Sequence, residues 1–425
     1  MKNPKLILSA LVAVTLIATV FVSCKKDEEP TDFNLTALTA GGIDLNGASS
    51  ATGVPADADI TATFSNDVDA ATANSSNVTL TREFDGSAVA ITVSSSGKTI
   101  TINPDADLFG GSLYTLTLGS GLKSSNGISF SATTRTFTTG GTFVPEGAIA
   151  HWGFEENGND DVGTFNSTNI INVTYVDSRN TTAGKAASFD GSTSLIEIPG
   201  APTLENSSAF TLSFWVYGDT LGHTTASGGL KGNFVMGAGF FRGFEIEMGA
   251  KFDWIKLGAS YAVVGQATPT TPNDFFFNGD GADKDHGGWQ GIAYEANLTS
   301  SGGCTGVFQG KWAHVVITFD AATKLRHMYV NGTLMETDDF NLWPSGDALT
   351  TATGLMFEPN ATDLGTNFVF GFATDIATTF WDDTDFGDYN KPDAHHFKGM
   401  LDDVRIFHRA ITEDEITAMY SSENQ

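Results

Sequence analysis

The sequence predicts an all-β protein of two successive sandwich domains behind a short N-terminal export segment. Three observations predict it. Short runs alternate apolar and polar side chains, which is the period of a strand with one buried face. Turn residues such as Ser96-Gly97, Gly110-Gly111 and Asn126-Gly127 separate those runs at intervals of roughly ten residues. All seven tryptophans lie beyond residue 146, so composition divides the chain in two.

The first segment, residues 1–23, starts with Lys2 and Lys5 and continues as an apolar run from Leu6 to Val22. At about 17 residues the run is short for a bilayer and reads as a secretion signal. Ser23 before Cys24 resembles the lipobox of bacterial lipoproteins, which implies cleavage and acylation of Cys24 as the new N-terminus, and a lipid anchor in the outer membrane. Residues 24–31 then form an acidic tether. Its Lys25-Lys26-Asp27-Glu28-Glu29 is a solvated spacer on one reading. On the other it is similar to the surface-export signal of Bacteroidetes lipoproteins, which implies exposure to the medium.

The formal charge is −28, and it becomes −30 when Lys2 and Lys5 leave with the signal. Such a balance excludes nucleic acid as a partner. It leaves divalent cations as natural counter-ions, or simply an acidic surface that keeps an exported protein soluble. Only two cysteines occur. With Cys24 lipidated, Cys304 has no intramolecular partner, and stability falls to core burial.

Residues 32–141 carry the first domain. Ile60, Ala62 and Phe64 alternate with threonines, and the pattern recurs at Val78 and Leu80, at Val89, Ile91 and Val93, at Ile100 and Ile102, and at Tyr114, Leu116 and Leu118. Seven strands in a sandwich are expected. The stretches Val54 to Ile60 and Phe64 to Asp69, with Asn103-Pro104, Tyr114-Thr115-Leu116 and Phe137-Thr138-Thr139, resemble the bacterial Ig-like domain of S-layer and surface proteins. That resemblance implies a spacer. Asp57, Asp59, Asp67 and Asp69 are read as loop residues, and the domain is assigned no site.

Residues 142–146, containing Pro145, form a linker, and the second domain spans 147–420. Alternation returns at Ala148, Ala150, Trp152 and Phe154, at Phe210, Leu212, Phe214 and Val216, at Val315, Ile317 and Phe319, and at Phe368, Phe370 and Phe372. Asn331-Gly332 predicts a two-residue hairpin turn. Thr412 with Glu415 predicts a capped terminal helix. The ordered motifs His151-Trp152-Gly153-Phe154, Ser188-Phe189-Asp190-Gly191, Phe210 to Val216, Gly310 to Val316, Tyr329 to Thr333 and Phe397 to Phe407 resemble the concanavalin A-like, laminin-G-like jelly roll of bacterial surface proteins. Residues 219–309 depart from that pattern. Trp152, Trp215 and Trp312 are expected to fill the core between its two sheets.

The resemblance implies a structural calcium ion where first and last strands meet, with Glu155, Asp190 and Asp402 as oxygen ligands. Asp403 would then face away and pair with Arg405 or Arg409. Two acidic, aromatic loops are the candidate ligand sites: Asp280, Asp283, Asp285 and Trp289 in one, and Trp381, Asp383, Asp385 and Tyr389 in the other. Sugar C–H faces stack on aromatic rings while hydroxyls need planar polar partners. The alternative is that these aromatics tuck back onto a sheet.

An enzyme has less support. Glu245-Ile246-Glu247 puts two carboxylates on one strand face, yet Ala250 stands where the glycosidase pattern of this fold needs a third acid. His395-His396 is a local pair, no zinc spacing occurs, and Cys304 reads as a buried thiol. The expected function is a surface-anchored lipoprotein binding an extracellular glycan. An adhesive protein that recognises a surface or matrix protein, and a glycan-cleaving enzyme, are the alternatives.

Overall fold

A computed structural model describes residues 32–272, 274–358 and 361–424. The signal and Cys24 lie outside the described residues. Strands hold 41% of the chain and helices 9%, so the fold is all-β.

The first unit pairs two five-stranded sheets. One runs Ile43–Asp44, Leu35–Ala40, Ile60–Phe64, Thr99–Pro104 and Ile91–Ser96; the other runs Ala51–Val54, Thr133–Thr139, Leu113–Leu118, Val78–Arg82 and Ala88–Val89. The alternating apolar residues at 60–64, 78–80, 100–102 and 114–118 all face the space between the sheets and are buried. Each such side chain contributes about 1.5–3 kcal/mol by leaving water. Ten strands replace the seven expected. The run around Val89 and Ile91 is split because the chain changes sheets there, and the edge strand Ala51–Val54 buries only Val54, too little apolar signal to be read.

The second unit stacks a nine-stranded sheet on a seven-stranded one. In the larger sheet the last strand, Lys398–Phe407, pairs with Ala148–Trp152, Lys185–Asp190 and Ala209–Gly218, so the ends of the domain close on each other. Residues 219–309 complete the sandwich. They supply Asn233–Ala238, Phe244–Met248, Ile255–Ala259 and Phe275–Phe277 to the smaller sheet and Ile292–Glu295 to the edge of the larger. Asn331 and Gly332 take positive φ of 51° and 74° in the turn between Leu325–Val330 and Thr333–Asp339, as expected.

Of the three tryptophans expected between the sheets, Trp152 is there, 5.1 Å from Phe370. Trp215 is not. Phe214 and Val216 point into the sandwich, so residue 215 points to the opposite face. There the helix Glu413–Glu423 covers it, stacking Tyr420 at 5.8 Å. Trp312 is half-buried, packed edge-on to Tyr217 at the end of the sheet.

The helix starts with the Thr412–Glu415 capping box and also joins the two units. Its Ile416 and Met419 form one apolar cluster with Phe143 of the linker, and Phe84 and Phe109 of the first unit pack on that cluster.

Candidate functional site

The three expected calcium ligands do not meet. Glu155 accepts from the Lys185 amide at 3.1 Å. Asp190 sits at the far end of the same strand, about 16 Å on at the usual rise, and accepts from the amides of Ser192, Thr193 and Ser194 in its own turn. Asp402 is ion-paired with Arg179 at 2.5 Å beneath the terminal helix. Among the described residues no group of three or more His, Cys, Asp or Glu side chains is arranged to hold a metal ion. The three carboxylates named from the resemblance are thus not brought together, and the guanidinium of Arg179 supplies the positive charge at Asp402. Asp403 pairs with Arg405 at 2.8 Å, while Arg409 binds Glu415 at 2.7 Å.

The loop around Trp381 folds back. Trp381 packs 4.5 Å from Phe240 and 5.1 Å from Phe380, and Tyr389 donates its hydroxyl to the Thr193 carbonyl at 2.7 Å. Together these residues cap the outer face of the seven-stranded sheet. Asp383 and Asp385 stay in solvent, the latter 3.6 Å from Lys391. Trp381 and Tyr389 thus pack against the sheet, half-buried.

The other loop divides. Asp280 accepts from the Ala282 amide, Asp283 accepts from the Asp285 amide and from His286, and exposed Asp285 holds Lys284. These carboxylates build the loop itself. Trp289 goes elsewhere: it remains 38% exposed and stands at 89° to Trp343, ring centres 4.5 Å apart.

Those two indoles wall a cleft of about 160 Å³ between the open edges of the two sheets, with Phe276 and Ile292. Its floor is charged. Arg326 and Asp338 are opposite each other on neighbouring antiparallel strands, both turned inward, and are directly hydrogen-bonded. Rings of Phe275 and Phe340 lie 4.8 and 5.0 Å from the guanidinium. The second Asp338 oxygen accepts from the Trp343 indole at 3.2 Å. Glu336, 1% exposed, also lines the cleft, and its Oε2 has no hydrogen-bond partner. Burial, reinforced by nearby Glu295, pushes this carboxyl well above the usual range. Nε and Nη1 of Arg326 are unpartnered too, as is the Tyr261 hydroxyl beside them. Buried polar atoms normally find partners, so a floor with several open ones suits a ligand rich in hydroxyls.

Asp274 links this cleft to the expected carboxylate pair. Lys256 holds Glu247 at 2.8 Å, Asp274 at 3.1 Å and Glu245 at 3.4 Å. Glu245 and Glu247 share a face as predicted, but Glu245 is 1% exposed, and burial pushes its carboxyl to about 8 against the pull of Lys256. The pair is held as an ion cluster around the Lys256 ammonium. Cys304 is buried, and burial pushes its thiol to about 12, as fits an inert side chain.

Residues 43–139 match the bacterial Ig-like domain family. That match names the first unit, now called the Ig-like domain. No curated protein matches the chain. Among solved structures, the chain is similar to domain 4 of AbnA, a GH43 extracellular arabinanase from Geobacillus stearothermophilus, solved in complex with arabinotriose. Identity is 19%, coverage is 64% of this chain and 99% of that one, and the TM-score is 0.34. It is similar as well to the receptor-binding domain of botulinum neurotoxin type G, at 13% identity, 65% and 51% coverage and TM-score 0.37. The binding domain of Paraclostridial Mosquitocidal Protein 1 gives 15%, 65%, 52% and 0.40. The chain thus spans about half the length of these toxin domains, and likenesses this distant carry no argument about what it binds.

Arg326, Glu336, Asp338, Trp343, Asp274 and Phe276 went unread as site residues. One signal was available: Arg326 interrupts Leu325-Arg326-His327-Met328-Tyr329-Val330 at the parity of Met328, whose side chain is buried in the sandwich. A charge at a core parity marks a polar site.

Proposed function

We propose that this protein is a lipoprotein anchored through Cys24 to the outer membrane and facing the medium, in which the Ig-like domain is a spacer and the laminin-G-like domain binds an extracellular glycan. The observation that carries the binding role is the perpendicular Trp289–Trp343 pair above the incompletely hydrogen-bonded Arg326 and Glu336. Indole faces offer a sugar ring its stacking partner, and the floor offers its hydroxyls donors and acceptors in a dry site.

The test is a broad glycan panel presented to the detergent-solubilised full chain. Binding that falls at least tenfold in Trp289→Ala supports the proposal. A panel blank for folded protein sinks it. The anchor is tested separately: radiolabelled palmitate should enter the wild type in cells and not Cys24→Ser.

A further inference from the structure

The charges around the cleft narrow the class of sugar. Three carboxyl-bearing side chains line it, Asp274, Glu336 and Asp338, against a single guanidinium, Arg326. That guanidinium already has its counter-charge in Asp338. Lys256, the cation beside Asp274, is shared among Asp274, Glu245 and Glu247. Glu295, opposite Glu336 on the next strand, adds another acid and also has an unpartnered oxygen. An anionic ligand entering here finds no lining cation free of a carboxylate partner, in a site of low dielectric where repulsion from carboxylates is weakly screened.

Open hydrogen-bonding atoms point the same way. Arg326 Nε and Nη1 can only donate, so they need an acceptor oxygen. Glu336 Oε2 is 1% exposed and unpartnered. That oxygen, buried without a donor, accepts a hydrogen bond from any ligand group that carries one. A hydroxyl satisfies both residues at once, since it accepts from the guanidinium and donates to Glu336 Oε2. A carboxylate or sulfate has no hydrogen to give and leaves that oxygen without a donor.

We infer that the cleft selects neutral sugars and rejects uronic-acid and sulfated glycans, with Glu336 and Arg326 as the residues that read the hydroxyls, an inference that rests on the glycan-binding proposal. The cleft volume suits one sugar ring, so discrimination is exercised at a single residue of the chain bound.

The experiment measures affinities of the full chain for neutral oligosaccharides of arabinose, xylose, glucose and mannose beside oligogalacturonides and sulfated oligosaccharides, at constant ionic strength. Neutral sugars should bind at least tenfold tighter than either anionic set. Glu336→Gln, which keeps one donor and one acceptor, should stay within about threefold of the wild type, while Glu336→Ala should lose at least tenfold, with folding verified by thermal unfolding. Anionic glycans binding as well as neutral ones, with Trp289→Ala still abolishing binding, would overturn the selectivity and leave the glycan-binding proposal standing. Equal affinities for Glu336→Ala and the wild type would remove Glu336 from the site. A blank panel overturns both.

Discussion

The indole nitrogen of Trp215 donates to Glu423 Oε2 at 2.6 Å, tying the strand Ala209–Gly218 to the end of the terminal helix across 208 residues. The other Glu423 oxygen lies 2.7 Å from Arg405, and Arg179 lies over the Trp215 ring at 4.5 Å. Glu423 therefore joins Asp402 and Asp403 in compensating two buried guanidiniums beneath the helix. Replacing it breaks its buried pair with Arg405 and orphans the Trp215 indole N–H, at a cost of about 3–5 kcal/mol. Glu423→Ala should lose that much in urea unfolding followed by tryptophan fluorescence; a loss below 1 kcal/mol would show the helix is not held this way.

Gly111 sets how closely the Ig-like domain meets that helix. Its φ is +58°, and a Cβ there would come within 2.6 Å of the Ser422 Cβ and 2.8 Å of the Phe143 amide nitrogen. That same amide donates to Ser422 Oγ at 2.8 Å. Gly111→Val should open the junction through strain of about 1–3 kcal/mol. Chymotrypsin should then cut at Phe143 at least tenfold faster than in the wild type. Unchanged cleavage would mean that the junction yields without cost.

Glu205 is a carboxyl with neither oxygen hydrogen-bonded, fully buried behind Gly243 and Tyr261, and burial holds it well above the usual range. Burying an unpaired polar group costs about 1–3 kcal/mol. Glu205→Met, of similar length, should raise stability at pH 7 by about that amount in thermal unfolding. A destabilised variant would point to an unseen partner for the carboxyl.

Burial lowers His314 to about 3 and His223 and His396 to about 4. Below the ordinary histidine value near 6.5 the unfolded chain takes up these protons while the fold refuses them. Stability therefore falls as pH drops from about 6.5 to 4, by about 1.4 kcal/mol per pH unit per histidine. Glu205 and Glu336 act in the opposite sense, so the comparison must isolate one group. In His223→Gln the loss of stability between pH 6.5 and 4.5 should be smaller than in the wild type. Identical pH profiles would show that His223 is accessible to protons in the fold.

Trp381 separates packing from binding. Trp381→Ala removes the ring from Phe240 and Phe380 and should cost about 2 kcal/mol or more in stability. Any glycan bound by the wild type should be bound with unchanged affinity. A selective loss of binding would return this loop to the site.

Part of this architecture is encoded in local pattern. Period-two alternation at Ile60 to Phe64 or Phe210 to Val216 specifies strands, Asn331-Gly332 a turn, Thr412 with Glu415 a helix start, and the partition of tryptophans two units. All of these depend on residues a few positions apart. Tertiary structure alone decided which groups meet. Asp402, legible as an acid on the last strand, finds Arg179 rather than Glu155 and Asp190, because closure of the sheet sets its neighbours. Trp215 belongs to the helix side of its sheet and Trp381 to a cap, by strand parity and loop packing. The cleft draws Asp274, Trp289, Arg326, Glu336, Asp338 and Trp343 from two sheet edges and their loops. Its chemistry depends on cross-strand register, and register arises from long-range pairing that no stretch of neighbouring residues contains.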